Sequence, residues 1–98
     1  MATGAITVGL LTLELHIAHS QSLKDKRQVL RGLKDRLRGR FNISVAEVGF
    51  QDTWQRSVVG VVTISGDHTQ AQGTLDRAEE EAAQLLGDDL VGTERDYF

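Results

Sequence analysis

Between Ile6 and Ile17 the chain alternates without a break: Leu11, Leu13, Leu15 and Ile17 fall on one side, and Val8, Leu10, Thr12, Glu14 and His16 on the other. Successive side chains point to opposite faces in an extended strand, so a period of two held this long predicts β-structure and argues against a helix. One face is apolar throughout, whereas the other is apolar in its first half and polar in its second. Such a strand belongs near the centre of a sheet, with one side fully covered and the other covered in part.

The period then changes. From Ser20 to Phe41, Leu23, Val29, Leu30, Leu33 and Leu37 gather within roughly 120° at ~100° per residue, which predicts an amphipathic helix. Ser22 and Asp25 stand as in a capping box, with Asp where Glu or Gln is usual, and Gly39 suits the stop. Two segments rich in Val and Ile, Asn42 to Phe50 and Ser57 to Ser65, read as strands, and Gln51 to Arg56 is short enough to join them as a hairpin. Gly66 and Asp67 open a second helix that runs to Gly87 with Ala71, Leu75, Ala78, Ala82 and Leu85 on its inner face, and Leu90 to Phe98 reads as a closing strand.

Strand, helix, strand, strand, helix, strand is the order of a ferredoxin-like α+β sandwich: a four-stranded antiparallel sheet with two helices on one face. Its first and third strands are central and its second and fourth lie at the edges. The expected core joins Leu11, Leu13, Leu15, Leu30, Leu33, Leu37, Leu75 and Leu85. Ninety-eight residues suffice for one such domain, taken as residues 1–98.

Composition narrows the function classes. With no cysteine, disulfides, thiolate zinc sites and cysteine nucleophiles are excluded, and the cytoplasm is the expected compartment. The apolar stretch from Ala5 to Ile17 lacks a basic leader, carries Glu14 and is shorter than the ~20 residues that span a bilayer, so no membrane association is expected. The formal net charge of −3 conceals a separation: eight of the 11 Lys and Arg residues lie between Lys24 and Arg40, and nine of the 14 acids lie in residues 67–98.

On the first helix, Lys24, Arg27, Arg31, Lys34 and Arg38 step by three or four residues and fall within a stripe roughly 80° wide and ~21 Å long. Such a stripe can follow successive phosphates of a nucleic acid. It can also be a solvated face, or one paired with acids of the second helix. Like charges at these spacings weaken an isolated helix, and only Asp35 is close enough in sequence to relieve them. Lys26 lies in the middle of the apolar arc. Its first-turn position favours snorkelling past the sheet edge, and a buried pairing with Glu14 or Glu47 is the alternative.

The hairpin connection holds Asp52, Trp54, Gln55 and Arg56, including the one Trp of the chain. Tryptophan is usually well buried, which favours Trp54 as a plug at the end of its own core; flanked by Gln and Arg, it also suits stacking on a base. Val8 and Leu10 lie on the sheet face that the helices do not cover, and an exposed apolar patch there predicts self-association through that face. His16, His19 and His68 show no zinc-helix spacing, so no metal is expected. With no nucleophile elbow, P-loop or dinucleotide fingerprint, neither catalysis nor a cofactor is expected. The third strand, Val58 to Ile64, offers no stacking aromatic of the kind an RNA-recognition motif uses, so any RNA contact falls to the helix and loops.

Three segments, Ser22-Leu23-Lys24-Asp25-Lys26-Arg27, Phe41-Asn42-Ile43-Ser44-Val45-Ala46-Glu47 and Asp52-Thr53-Trp54-Gln55-Arg56, with the opening Val8-Gly9-Leu10-Leu11-Thr12-Leu13-Glu14-Leu15, resemble the small bacterial family known as domain of unknown function 503, the YlxP-like proteins. The likeness covers nearly the whole chain and is least distinct in its acidic last third. It implies a compact, cytoplasmic ferredoxin-like domain, often encoded beside translation-initiation and ribosome-maturation factors. It implies no defined activity and so carries over no catalytic residue.

The function expected on these grounds is that of a non-enzymatic accessory protein. It would bind structured or ribosomal RNA through Lys24, Arg27, Arg31, Lys34 and Arg38, with Trp54 and Arg56 beside them. The alternatives are a homo-oligomeric interaction module, a dimer in its simplest form, and a regulatory domain for a small anion; fold analogy is the only support for the last.

Overall fold

A computed structural model describes residues 6–98. The first five residues, and with them Ala5 and the opening of the 1–98 domain assignment, lie outside the described residues. The elements are β1 (Thr7–His16), α1 (Leu23–Arg40), β2 (Ser44–Gly49), β3 (Arg56–Ser65), α2 (His68–Leu86), a 3-10 turn at Gly87–Asp89, and β4 (Leu90–Tyr97). The strands form one antiparallel sheet in the order β2-β3-β1-β4, so the two long apolar strands are central. This is the ferredoxin-like arrangement expected from the periodicity.

In β1 the odd-numbered residues are buried, with Leu11, Leu13 and Leu15 fully inaccessible, as is Ile17 just beyond the strand. Val59 and Val61 of β3 join them on the same side. Against that side, Leu30, Leu33 and Leu37 of α1 and Leu75, Ala78, Ala82 and Leu86 of α2 complete one core. Gly9 makes room for Leu75 of α2, since a Cβ there would lie 2.8 Å from Leu75 Cδ1. Burying these side chains contributes roughly 1.5–3 kcal/mol apiece to folding.

Two details differ from expectation. Leu86 is buried in place of Leu85, which is 39% exposed. On a helical wheel the two flank the centre of the α2 apolar stripe at about 50° to either side, so periodicity alone does not choose between them. The turn after α2, where Gly87 takes φ +54, brings Leu86 inward. Gly39 does not end α1; it lies in the last turn, and Phe41 closes the helix from extended backbone by donating its N–H to the Leu37 carbonyl. At the other end Ser22 Oγ accepts from Asp25 N–H at 3.0 Å, and Asp25 accepts from Gln21 N–H, one residue before the position a standard capping box would use.

Candidate nucleic-acid interface

The apolar arc of α1 has two flanks. One turns toward α2, where Arg36 and Arg40 both reach Glu81, at 3.0 and 3.2 Å. The other carries the predicted stripe and turns toward β2, the edge strand. There Arg27, Arg31, Lys34 and Arg38 line a cleft of about 380 Å³ together with Leu30, Asp35 and Glu47. Lys24 is exposed at the N-terminal end of the same stripe. Among the described residues, none of these five cations forms an ion pair. Arg38 alone is engaged, donating to the Val45 carbonyl at 2.9 Å and so covering part of the β2 edge. Pairing with α2 therefore offsets part of the charge beside the stripe and leaves the stripe itself without an ion pair.

Lys26 does not snorkel. It is 1% exposed, and its ammonium lies 2.9 Å from Glu47 Oε2 while donating to the carbonyls of Phe50 (2.8 Å), Arg56 (3.2 Å) and Gln51 (3.3 Å). The Ser57 hydroxyl donates to the same carboxylate oxygen at 2.6 Å. A buried ammonium costs free energy unless its donors are satisfied, and this cage supplies both the counter-charge and the acceptors. Val45 and Glu47 share the inner side of β2, which is why Glu47 is the partner and Glu14 is not.

The cage ties the first turn of α1 to the β2–β3 connection. Gln55 braces the same connection from the other side: its amide donates to the carbonyls of Ala18 and Ser20, both at 3.1 Å, and its own carbonyl accepts from Ile17 N–H at 2.7 Å. Phe50 stands at φ +58, a left-handed conformation unusual for an aromatic residue, and its carbonyl is one of the Lys26 acceptors.

Trp54 is not a plug. It is 55% exposed on this braced connection, and so its indole is open to solvent at the end of the molecule where the stripe begins. Arg56 is placed elsewhere. It lies on the uncovered sheet face, with its guanidinium 4.3 Å from the centre of the Phe50 ring and 3.0 Å from Glu14 Oε1. The structure thus brings Lys24, Arg27, Arg31, Lys34 and Arg38 onto one surface, sets Trp54 at its end, and separates Arg56 from them. The Lys26 cage had one sequence signal: a lysine at an inward helical position and a glutamate at an inward strand position, each of which needs a partner.

Val8 and Leu10 lie half-buried on the uncovered sheet face, as their parity requires. Arg95, on the inner side of β4, bonds Asp76 at 2.7 Å and Glu79 at 3.2 Å. Burial opposes its charge, but its bonds to Tyr97, Asp76 and Glu79 outweigh that and hold its pKa above the ordinary value. Among the described residues no group of three His, Cys, Asp or Glu side chains could hold a metal ion, and no helix is long and apolar enough to cross a membrane.

These elements define a class: a ferredoxin-like sandwich with a charged cleft along one helix and a braced, aromatic-bearing hairpin beside it. The chain belongs to the family described as "Protein of unknown function (DUF503)", which matches residues 8–95. It is 39% identical over 70 residues to the uncharacterized protein YlxP of Bacillus subtilis (strain 168), covering 71% of this chain and 76% of that protein. Among solved structures, the de novo designed protein Foldit4 is similar with a TM-score of 0.58 at 12% identity, over 95% of this chain and 96% of the other. SnoaB, a cofactor-independent oxygenase from Streptomyces nogalater, is similar with a TM-score of 0.50 at 12% identity, over 97% and 92% of the two chains. At such identities the likeness is one of fold alone.

Proposed function

We propose that the protein is a non-enzymatic RNA-binding accessory factor that meets structured or ribosomal RNA along the α1–β2 cleft. The observation that carries this reading is the unequal treatment of the α1 cations: Arg36 and Arg40 are held by Glu81, while among the described residues Lys24, Arg27, Arg31, Lys34 and Arg38 form no ion pair. A row of like charges held together weakens the helix that bears it, and a polyanion relieves the repulsion. Lys24, Arg27, Arg31 and Lys34 bind phosphates. Arg38, tied to Val45, contributes mainly to the field, and Trp54 offers a flat surface to an unstacked base.

Sedimentation with ribosomal subunits and RNA titrations at several salt concentrations test this. About four phosphate contacts give a slope of log affinity against log salt near −2.8 to −3.6, depending on strandedness. Reversing Arg27, Arg31 and Lys34 together to Glu abolishes association and leaves the fold intact. RNA association that survives this triple reversal overturns the reading.

A further inference from the structure

The outer sheet face divides along the strands. At the His16 end it is polar, with Glu14 paired to Arg56 and a shallow 190 Å³ depression lined by Thr12, Glu14, Val58, Gly92, Thr93 and Glu94. At the opposite end it is apolar. Val8 pairs with Ile64 and Leu10 with Val62 across β1 and β3, and Val8 exchanges backbone hydrogen bonds with Phe98 on the other side. Ile6 and Ile64 are each 60% exposed and Phe98 is 74% exposed, so three adjacent strands present one continuous hydrocarbon surface. Monomeric proteins rarely leave such a patch in water.

We infer that this face is the interface of a homodimer, in which the sheets of two copies pack face to face with the patch of Ile6, Val8, Leu10, Val62, Ile64 and Phe98 against its counterpart. Two observations select a second copy as the occupant. The patch bears no Lys or Arg, and the nearest charge beside Leu10 is Asp96, so neither a nucleic acid nor an anionic membrane is attracted to it. It lies on the outer face of an antiparallel sheet, and the natural complement of an apolar sheet face is another one, packed at a spacing of about 10 Å.

A two-fold axis lying between the sheets and crossing the strands at the level of Val8 and Ile64 sets the apolar half on the apolar half, the self-complementarity that an isologous dimer requires, with Asp96 at its rim. The sheet edges offer no equal route: Arg38 covers part of β2, and β4 carries Glu94, Arg95 and Asp96. The helices lie on the outer sides of the resulting sandwich, with the two α1 stripes facing away from each other. The inference stands whether or not those stripes bind RNA.

Sedimentation equilibrium of the full chain reads the outcome directly. The 10.8 kDa chain sediments at twice that mass at micromolar concentration, and Val62→Glu with Ile64→Glu weakens dimerisation at least a hundredfold while circular dichroism remains that of the folded protein. A wild-type monomer at several hundred micromolar overturns the proposal, and so does a dimer that survives the double substitution, because it would use an edge or a helix. Should the double variant fail to fold, cysteine placement decides instead, since the chain has no cysteine of its own. Leu10→Cys then forms an intermolecular disulfide under mild oxidation at least tenfold faster than Gly32→Cys on the exposed side of α1; equal rates refute the face-to-face arrangement. Flotation of the wild type with neutral phosphatidylcholine vesicles, without dimerisation, would assign the patch to lipid and also refute it.

Discussion

The two helices are nearly equal in length and lie side by side in one layer, yet they differ in how completely packing explains them. α2 buries Ala71, Leu75, Ala78, Ala82 and Leu86, and Asp76, Glu79 and Glu81 each hold an arginine of a neighbouring element. Its composition follows from the needs of the fold. α1 contributes three leucines to the same core but departs from economy twice: it buries an ammonium beside them, and on its free flank it lines up five cations that, among the described residues, form no ion pair, although Asp35 and Glu47 border the same cleft. The buried cation has a structural account in the cage, whereas the stripe has none. That contrast locates the surplus charge, and with it the residues available for binding, on α1.

The sharpest way to break the contrast is at Lys26. Lys26→Ala leaves Glu47 without its counter-charge, with only the Ser57 hydroxyl donating to it, removes the donor to three carbonyls, and is expected to cost about 3 to 5 kcal/mol in a denaturant melt. A loss under about 1 kcal/mol would mean that the cage does not hold the hairpin. On α2, Leu86→Ala is expected to cost about 2 kcal/mol and Leu85→Ala less than about 0.5 kcal/mol; the reverse order would restore the face that periodicity suggests. Glu81→Gln, which releases Arg36 and Arg40 at the surface, should cost no more than about 1 kcal/mol by thermal or urea melting. The smallest effect has the opposite sign. Lys34→Gln removes repulsion with Arg31 and Arg38 and is expected to raise stability by about 0.5 kcal/mol. A clear loss at Lys34 would show that the stripe contributes to folding after all, and so remove the basis for reading it as surplus.

The braced hairpin refines the same point. Lys26, Glu47, Gln55 and Arg56, residues that carry the family resemblance, act on the position of the β2–β3 connection or of Phe50 beside it. Trp54 lies among them without a role in that bracing, and it is the residue the connection leaves open to solvent.

Element order, the central place of β1 and β3, the inward leucines of α1 and the outward parity of Val8 and Leu10 were all determined by the sequence itself, because each follows from a local period of two or 3.6 residues. The alignment of Lys24, Arg27, Arg31, Lys34 and Arg38 was legible for the same reason. Tertiary structure alone decided which cations find an ion-pair partner, since pairing depends on which flank of α1 turns toward Glu81. It also decided that Lys26 is caged, that Trp54 stands in solvent, and that Arg56 lies across the sheet from the stripe. Leu86 is the inward residue rather than Leu85, a choice that the symmetry of the two about the wheel's apolar stripe leaves to tertiary packing. Local periodicity says which way a side chain points relative to its own element; what it meets there depends on residues distant in the chain, brought near only when the two halves of the sandwich close on one core.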